Sequence, residues 1–236
     1  MKHPTPENES ARLAALQHYR ILDTAPEAAY DDIVSLAAYL TGVPIAAISL
    51  IDVDRQWFKA RIGLSEYSTP REHAFCAHTI LQTEIMEVKD ASKDPRFASN
   101  PLVTGQLNIR FYAGAPLVTH SGEALGSICI MDRHPRKLSV EQRDALKKLA
   151  GIVMRTLEYR HVCAELAEVA ASFKTLSGLL PICSWCKKVR EDEGYWQEVE
   201  SYIKNQTGLD LTQSICPECQ KSHFPPIRII KNRNEP

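Results

Sequence analysis

Ile109-Arg-Phe-Tyr-Ala-Gly-Ala-Pro-Leu117 and Leu125-Gly-Ser-Ile-Cys-Ile-Met-Asp132 decide the fold of this chain. Both runs are short and apolar, and Ser121-Gly122 between them is turn chemistry. They therefore read as paired strands over Ile109 to Val118 and Ala124 to Met131. Upstream, Pro44-Ile-Ala-Ala-Ile-Ser-Leu-Ile-Asp52 reads as a buried strand, Val53-Asp-Arg55 as a turn, and Gln56 to Ile62 as an alternating partner, giving an antiparallel hairpin. Between the hairpins the pattern predicts a helix at Glu72 to Gln82, a short strand at Ile85 to Val88, and a loop rich in Asp, Pro, Ser and Asn from Lys89 to Gly105. Two helices precede them. Glu9 to Tyr19 carries Leu13 and Leu16 on one face; Glu27 to Leu40 carries Ile33, Leu36, Ala37 and Leu40, with Pro26 at its head. Helices segregated from hairpin-paired strands indicate an α+β domain.

The chain has 236 residues, 44% hydrophobic and 24% charged, which accommodates one good-sized domain and a smaller one. Met1 to Ser10 is polar, and the longest apolar run, Val43 to Ile51, is far too short to cross a bilayer. The expectation is a cytoplasmic protein with no membrane partner. Seven cysteines, an odd number, suit a reducing compartment better than a disulfide framework. A net charge of −1 argues against nucleic acid, and the basic end from Arg228 to Arg233 reads as a solvated, disordered tail.

From Ser139, an N-cap with Gln142 three residues on, a helical pattern runs past Leu176. Leu149, Ile152, Thr156, Tyr159, Cys163, Leu166, Ala170, Phe173, Ser177 and Leu180 recur at three- and four-residue steps. A helix this long cannot bury such a stripe on so small a domain, so the expectation is a parallel homodimer; a single helix packed on its own domain is the alternative. Beyond it stand Cys183-Ser-Trp-Cys186 and Cys216-Pro-Glu-Cys219. Two identical Cys-x-x-Cys spacings, separated by enough chain to fold back, predict a structural zinc held by Cys183, Cys186, Cys216 and Cys219. A thioredoxin-like dithiol is the alternative, although it calls for one pair in a βαβ unit rather than two pairs around a short helix. Tyr195, Trp196, Val199, Tyr202 and Ile203 fall at helical spacing with Gly208 as a stop. So small a core needs a staple. Lys187, Lys188 and Lys221 would partly offset the charge of a zinc–tetrathiolate centre.

Phe75-Cys-Ala-His78, the two runs quoted first, and Asp54-Arg-Gln-Trp-Phe-Lys59 together resemble a GAF sensor domain of bacterial signalling proteins, over roughly residues 8–160. The resemblance implies a central antiparallel sheet of about six strands with helices on one face and a ligand pocket on the other. Members variously bind cyclic nucleotides, bilins, haem or small metabolites, or serve as dimerising spacers. Candidate pocket residues are Trp57, Phe75, Cys76, His78, Phe97, Arg110 and Tyr112. Phe75 and Phe97 also suit a core, and Cys76 and His78 suit a buried thiol and a hydrogen-bonded imidazole. Bilin-binding relatives generally show Cys followed directly by His, whereas Ala77 intervenes here. Arg110, a cation in an apolar strand, needs a ligand anion or a salt bridge, for instance to Asp90 or Asp94. The stretch from Lys174 to Cys219 is similar to a short module found after coiled coils in bacterial sensors and response regulators.

The resulting expectation is a GAF domain with its N-terminal helices at 1–138, a signalling helix at 139–180, a zinc module at 181–224 and a tail at 225–236. It is read as a non-enzymatic regulator that senses a small ligand or redox state and signals in trans to a protein partner. The alternative is an enzyme, a GAF-fold free methionine sulfoxide reductase using Cys76 or Cys129 as thiolate nucleophile.

Overall fold

The computed structural model describes residues 4–174, 181–190 and 194–223. The expectations for Ser177, Leu180 and the tail at 225–236 lie outside the described residues. Two helices, α1 (Glu9–His18) and α2 (Ala28–Thr41), lead into the hairpin β1 (Ile45–Ile51) and β2 (Arg55–Ile62). A short edge strand β3 (Ser68–Pro70), helix α3 (Cys76–Thr79), strand β4 (Met86–Val88) and helix α4 (Pro101–Thr104) follow. The second hairpin is β5 (Phe111–Val118) and β6 (Ala124–Asp132), and α5 (Val140–Lys174) leaves the domain. The six strands form one sheet in the order β3-β2-β1-β6-β5-β4, every described pairing antiparallel. This is the α+β sheet with flanking helices that the two hairpins predict.

Side-chain alternation in a strand sends neighbours to opposite faces. On one face Ala46, Ile48, Trp57, Ile128 and Ile130 pack with α1, α2 and α5 through Leu16, Val34, Leu149 and Val153. On the other, Ala47, Phe58, Tyr112, Cys129 and Met131 pack with α3 and the loop around α4 through Phe75, Phe97 and Val103. The register shifts between Ile48 and Ser49, which pair with Ala60 and Phe58, leaving Lys59 as the extra residue of a bulge. Its ammonium is fully buried and donates to the Glu27 carboxylate at 2.6 Å, to Thr24 and to the Ala25 carbonyl. A buried charge survives only when paired in this way.

The helix expected over Glu72 to Gln82 is much shorter. Arg71–His73 forms a single 3-10 turn, Ala74 is extended, and only Cys76–Thr79 is α-helical. Arg71 anchors the 3-10 turn: its guanidinium is buried and committed to the Glu9 carboxylate at 2.6 Å and the Asp52 carbonyl at 2.9 Å.

Ser139 caps α5 reciprocally: its hydroxyl accepts from the Gln142 amide at 3.2 Å, and its own amide donates to the Gln142 side chain at 3.1 Å. The first half of α5 buries Leu146, Leu149, Val153 and Leu157 on the sheet, whereas Tyr159, Val162, Leu166 and Val169 are exposed. The chain divides into two compact units, Met1–Ala167 and Glu168–Pro236, which meet inside α5. In the second unit β7 (Val189–Arg190) pairs with β8 (Trp196–Gln197), followed by α6 (Val199–Thr207) and α7 (Pro217–His223). Gly208, left-handed at φ 70°, ends α6. Tyr195 and Trp196 do not join that helix, because the turn at Gly194 sends Trp196 back against Arg190. Among the described residues of this unit, Val189 and Tyr202 are the buried apolar ones.

Candidate functional site

The sheet face opposite the long helices carries a cavity of about 180 Å³. Phe58 and Met131 reach it from the sheet, Phe75 from the start of α3, and Leu102 and Leu107 from α4 and the loop after it. Thr69, Pro70 and His73 border it, with the exposed Glu66. Its buried polar groups are few: Gln56, Cys76 and Tyr112. An apolar wall with a few convergent polar groups is the usual composition of a small-molecule site.

Those polar groups converge on one sulfur. Gln56 Nε2 and the Tyr112 hydroxyl each donate to Cys76 Sγ at 3.3 Å, and Thr79 Oγ1 lies 2.6 Å from the same hydroxyl. Gly114 makes room for it, since a Cβ there would collide with the Tyr112 hydroxyl and crowd Thr79. Cys129 on β6 completes the cluster. Burial pushes the Cys76 thiol up, but the polar side chains around it, Cys129, Ser127, Ser49 and Tyr112, outweigh it and hold the thiol well below its ordinary value. The same contact with Cys76, together with burial, pushes Cys129 up. Burial and the neighbouring sulfurs raise Tyr112. Cys76 is thus the group in the cluster best placed to carry negative charge, at the wall of a cavity.

Of the seven candidates, Phe75, Cys76 and Tyr112 line the cavity and four do not. Trp57 points to the helix face, because its neighbours Gln56 and Phe58 take the cavity side. Phe97 stacks behind Phe75 with ring centroids 4.2 Å apart, and His78 packs edge-on against Phe97 at 4.8 Å. Burial, reinforced by Arg96 and opposed by Asp94, lowers the pKa of His78. Among the described residues Arg110 has no carboxylate partner: its guanidinium donates to the Val103 and Ile109 carbonyls at 2.9 and 3.1 Å. Asp90 is engaged with Ser92 and Lys93, and Asp94 with Arg96. Arg110 therefore fastens the α4 loop. Sequence reasoning missed Gln56, Leu102, Leu107 and Met131; for Gln56 the signal was the alternation that excludes Trp57.

Each cysteine pair has a local geometry of its own. Cys183 and Cys186 bracket a turn in which the Lys187 amide donates to the Cys183 carbonyl at 3.0 Å. Backbone amides of Cys186 and Trp185 lower the Cys183 thiol pKa, with the Cys186 thiol adding to them. At the start of α7 the Cys219 amide approaches Cys216 Sγ at 3.4 Å, and the Cys216 thiol is lowered in the same way. Amides directed at sulfur suit thiolate ligands, so the donor set fits a soft four-coordinate metal. The four sulfurs do not meet in one cluster; among the described residues one trio of metal-ligating atoms lies close together, from His18, His161 and Glu165.

A model of the GAF domain matches residues 25–157. The chain is 45% identical over 152 residues to cyclic di-GMP phosphodiesterase PA2567 of Pseudomonas aeruginosa, a stretch that is 64% of this chain and 26% of that protein. The GAF domain of an Acinetobacter phosphoenolpyruvate-protein phosphotransferase superposes with a TM-score of 0.50 at 19% identity, over 67% of this chain and 97% of that one. The PixJ GAF domain of Thermosynechococcus elongatus gives 0.47 at 17% identity, over 70% and 96%. The expectation of a non-enzymatic protein is corrected here, since the curated relative is named as an enzyme, of which this chain spans about a quarter. No described helix is long and apolar enough to cross a membrane. With most of its first unit matched by the family model and its sheet built in the same way, the chain belongs to the GAF domain family.

Proposed function

We propose that this chain is the sensory part of a bacterial signalling protein, in which occupancy of the Cys76–Tyr112 cavity biases the helix α5. The carrying observation is the cavity itself, apolar in its walls and polar at one sulfur-centred patch. Its volume of about 180 Å³ favours a small ligand. A cavity of about 150 Å³ takes benzene, whereas drug-sized ligands fill about 300 Å³ or more. The fit is a small, largely apolar molecule with one hydrogen-bonding group, not a bilin, haem or cyclic nucleotide. Leu107, half-buried at the cavity, can be enlarged without disturbing the sheet. Leu107→Trp should abolish binding of such molecules in a thermal-shift screen while the variant unfolds as cooperatively as the wild type. A wild type that responds to no compound of this size, or a variant that responds equally, overturns the reading.

A second reading, redox sensing, is favoured by the donors around Cys76 and the adjacent Cys129. In either case the output would run through a parallel pair of α5 helices to a partner protein, and a zinc ion at the two cysteine pairs would staple the second unit. The match to a cyclic di-GMP phosphodiesterase supports a place in cyclic-dinucleotide signalling. Seven free thiols suit the reducing cytoplasm.

A further inference from the structure

We propose that His18, His161 and Glu165 bind a divalent transition-metal ion of the zinc class, which fastens the end of α1 to α5 where α5 leaves the sheet. One ligand atom from each residue lies within 4.8 Å of the other two. The two imidazole rings are 4.2 Å apart, and His161 Nε2 is 3.3 Å from the Glu165 carboxylate one helical turn further on. Ligand atoms around tetrahedral zinc, each about 2.0–2.2 Å from the metal, are about 3.4 Å apart, which the His161–Glu165 pair already matches and the 4.8 Å outer limit of the trio exceeds. Small side-chain rotations close the difference, and the positions are open enough for water to complete the sphere.

The surroundings hold the two helices at this point without a metal. Tyr19 packs against His161 at 5.6 Å and hydrogen-bonds the Glu158 carboxylate. Arg160 donates to Glu27 at 3.0 Å and to the Arg20 carbonyl at 3.3 Å. The two imidazoles are therefore brought together by contacts other than their own. His18 also lies in the last turn of α1, where the helix dipole favours a cation. Two nitrogens and one carboxylate oxygen suit zinc, copper, nickel or cobalt and disfavour magnesium or calcium. Leu157 is the last residue of α5 buried on the sheet, so a metal at 161 and 165 would extend the anchored part of the helix by about two turns. The ion binds the docked arrangement alone and so stabilises it by mass action.

The test must separate this site from the cysteine pairs. Imidazole nitrogen resonances of the full chain, followed by NMR during zinc titration, report on histidine directly. The expected result is that two histidine side chains, assigned by His18→Ala and His161→Ala, shift together and saturate at one equivalent beyond any zinc taken up by the cysteine pairs, with no response to magnesium. Each alanine variant should weaken the transition at the remaining imidazole by more than about tenfold, beyond the lower end of what losing an outer-shell partner costs. Glu165→Gln should weaken it as well. His18 and Glu165 are exposed and His161 is partly buried at the edge of α5, outside the apolar core, so the variants should fold. The proposal is overturned if neither imidazole responds at zinc up to about 100 µM, a concentration at which a useful site would stabilise the protein measurably. It is equally overturned if His18→Ala leaves the His161 response unchanged.

Discussion

Glu9 shows how much one side chain holds at the residue scale. Its carboxylate lies between two buried guanidiniums, Arg12 at 2.8 Å and Arg71 at 2.6 Å, which also bind the Ile51 and Asp52 carbonyls. Burial alone would raise its pKa, but the hydrogen bonds and charges of Arg12 and Arg71 bring it down from 4.5 to about 2. A depressed carboxylate stabilises the fold above its unfolded pKa, and that contribution is lost as pH falls from about 4.5 through about 2. Glu9→Gln leaves two buried cations without a counter-charge and should cost about 2–4 kcal/mol at neutral pH in urea unfolding. It should also flatten the acid limb of the stability profile; an unchanged limb would mean that other carboxylates govern it. Cys76 carries the redox reading at this scale. A hydroperoxide should oxidise its thiolate to sulfenic acid, releasing water or alcohol, and the Cys129 thiol should displace a second water to form a disulfide. Intact mass should fall by two hydrogens and recover with dithiothreitol, and Cys129→Ser should stop at the sulfenic acid. Gly114→Ala, which drives the Tyr112 hydroxyl off the sulfur, should slow the first step. Inert thiols, or direct over-oxidation, would leave the small-molecule reading alone.

At the scale of elements, the strands were legible where two-residue periodicity met turn chemistry, as at Asp54-Arg55 and Ser121-Gly122. Face assignments were not. Trp57 reads as a pocket residue until the pairing of β2 with β1 fixes its parity and the bulge at Lys59 resets it. Arg71 is anchored by contacts with Glu9 and Asp52, sixty-two and nineteen positions away in the chain, at the turn that stands where a helix was expected, and no local pattern encodes such contacts. The cavity followed the same rule: Phe75, Cys76 and Tyr112 were found because they sit in motifs, while Leu102 and Leu107 come from a loop that only the tertiary fold brings over the sheet. In α5 the seam read from sequence includes Leu149, which the domain core uses, whereas Tyr159, Val162, Leu166 and Val169 remain exposed at three- and four-residue steps. If two chains pair there, Leu166→Glu places like charges in a desolvated seam and should convert a dimer to monomer by light scattering. A wild type that is monomeric at tens of micromolar removes the dimer from the proposal.

For the molecule as a whole, the division into two units makes a separable prediction about metal and folding. The first unit has two extensive apolar layers around its sheet, while among the described residues of the second the buried apolar ones are Val189 and Tyr202, beside two pairs of thiols with amides directed at them. Stability in the second must therefore come from something other than hydrophobic burial. One zinc per chain at Cys183, Cys186, Cys216 and Cys219 would supply it, and drawing the two pairs together would make metal binding and folding of the unit a single event. Strong chelators, or Cys183→Ser or Cys216→Ser, should then abolish hydrogen-exchange protection across residues 183–223 while the β1–β6 sheet stays protected. X-ray absorption should show four sulfurs at about 2.3 Å, which separates this ion from one bound by His18 and His161 through nitrogen at about 2.0 Å. Protein purified without chelators that contains no metal, with both pairs titrating as disulfides, would replace the staple with a redox switch in the second unit.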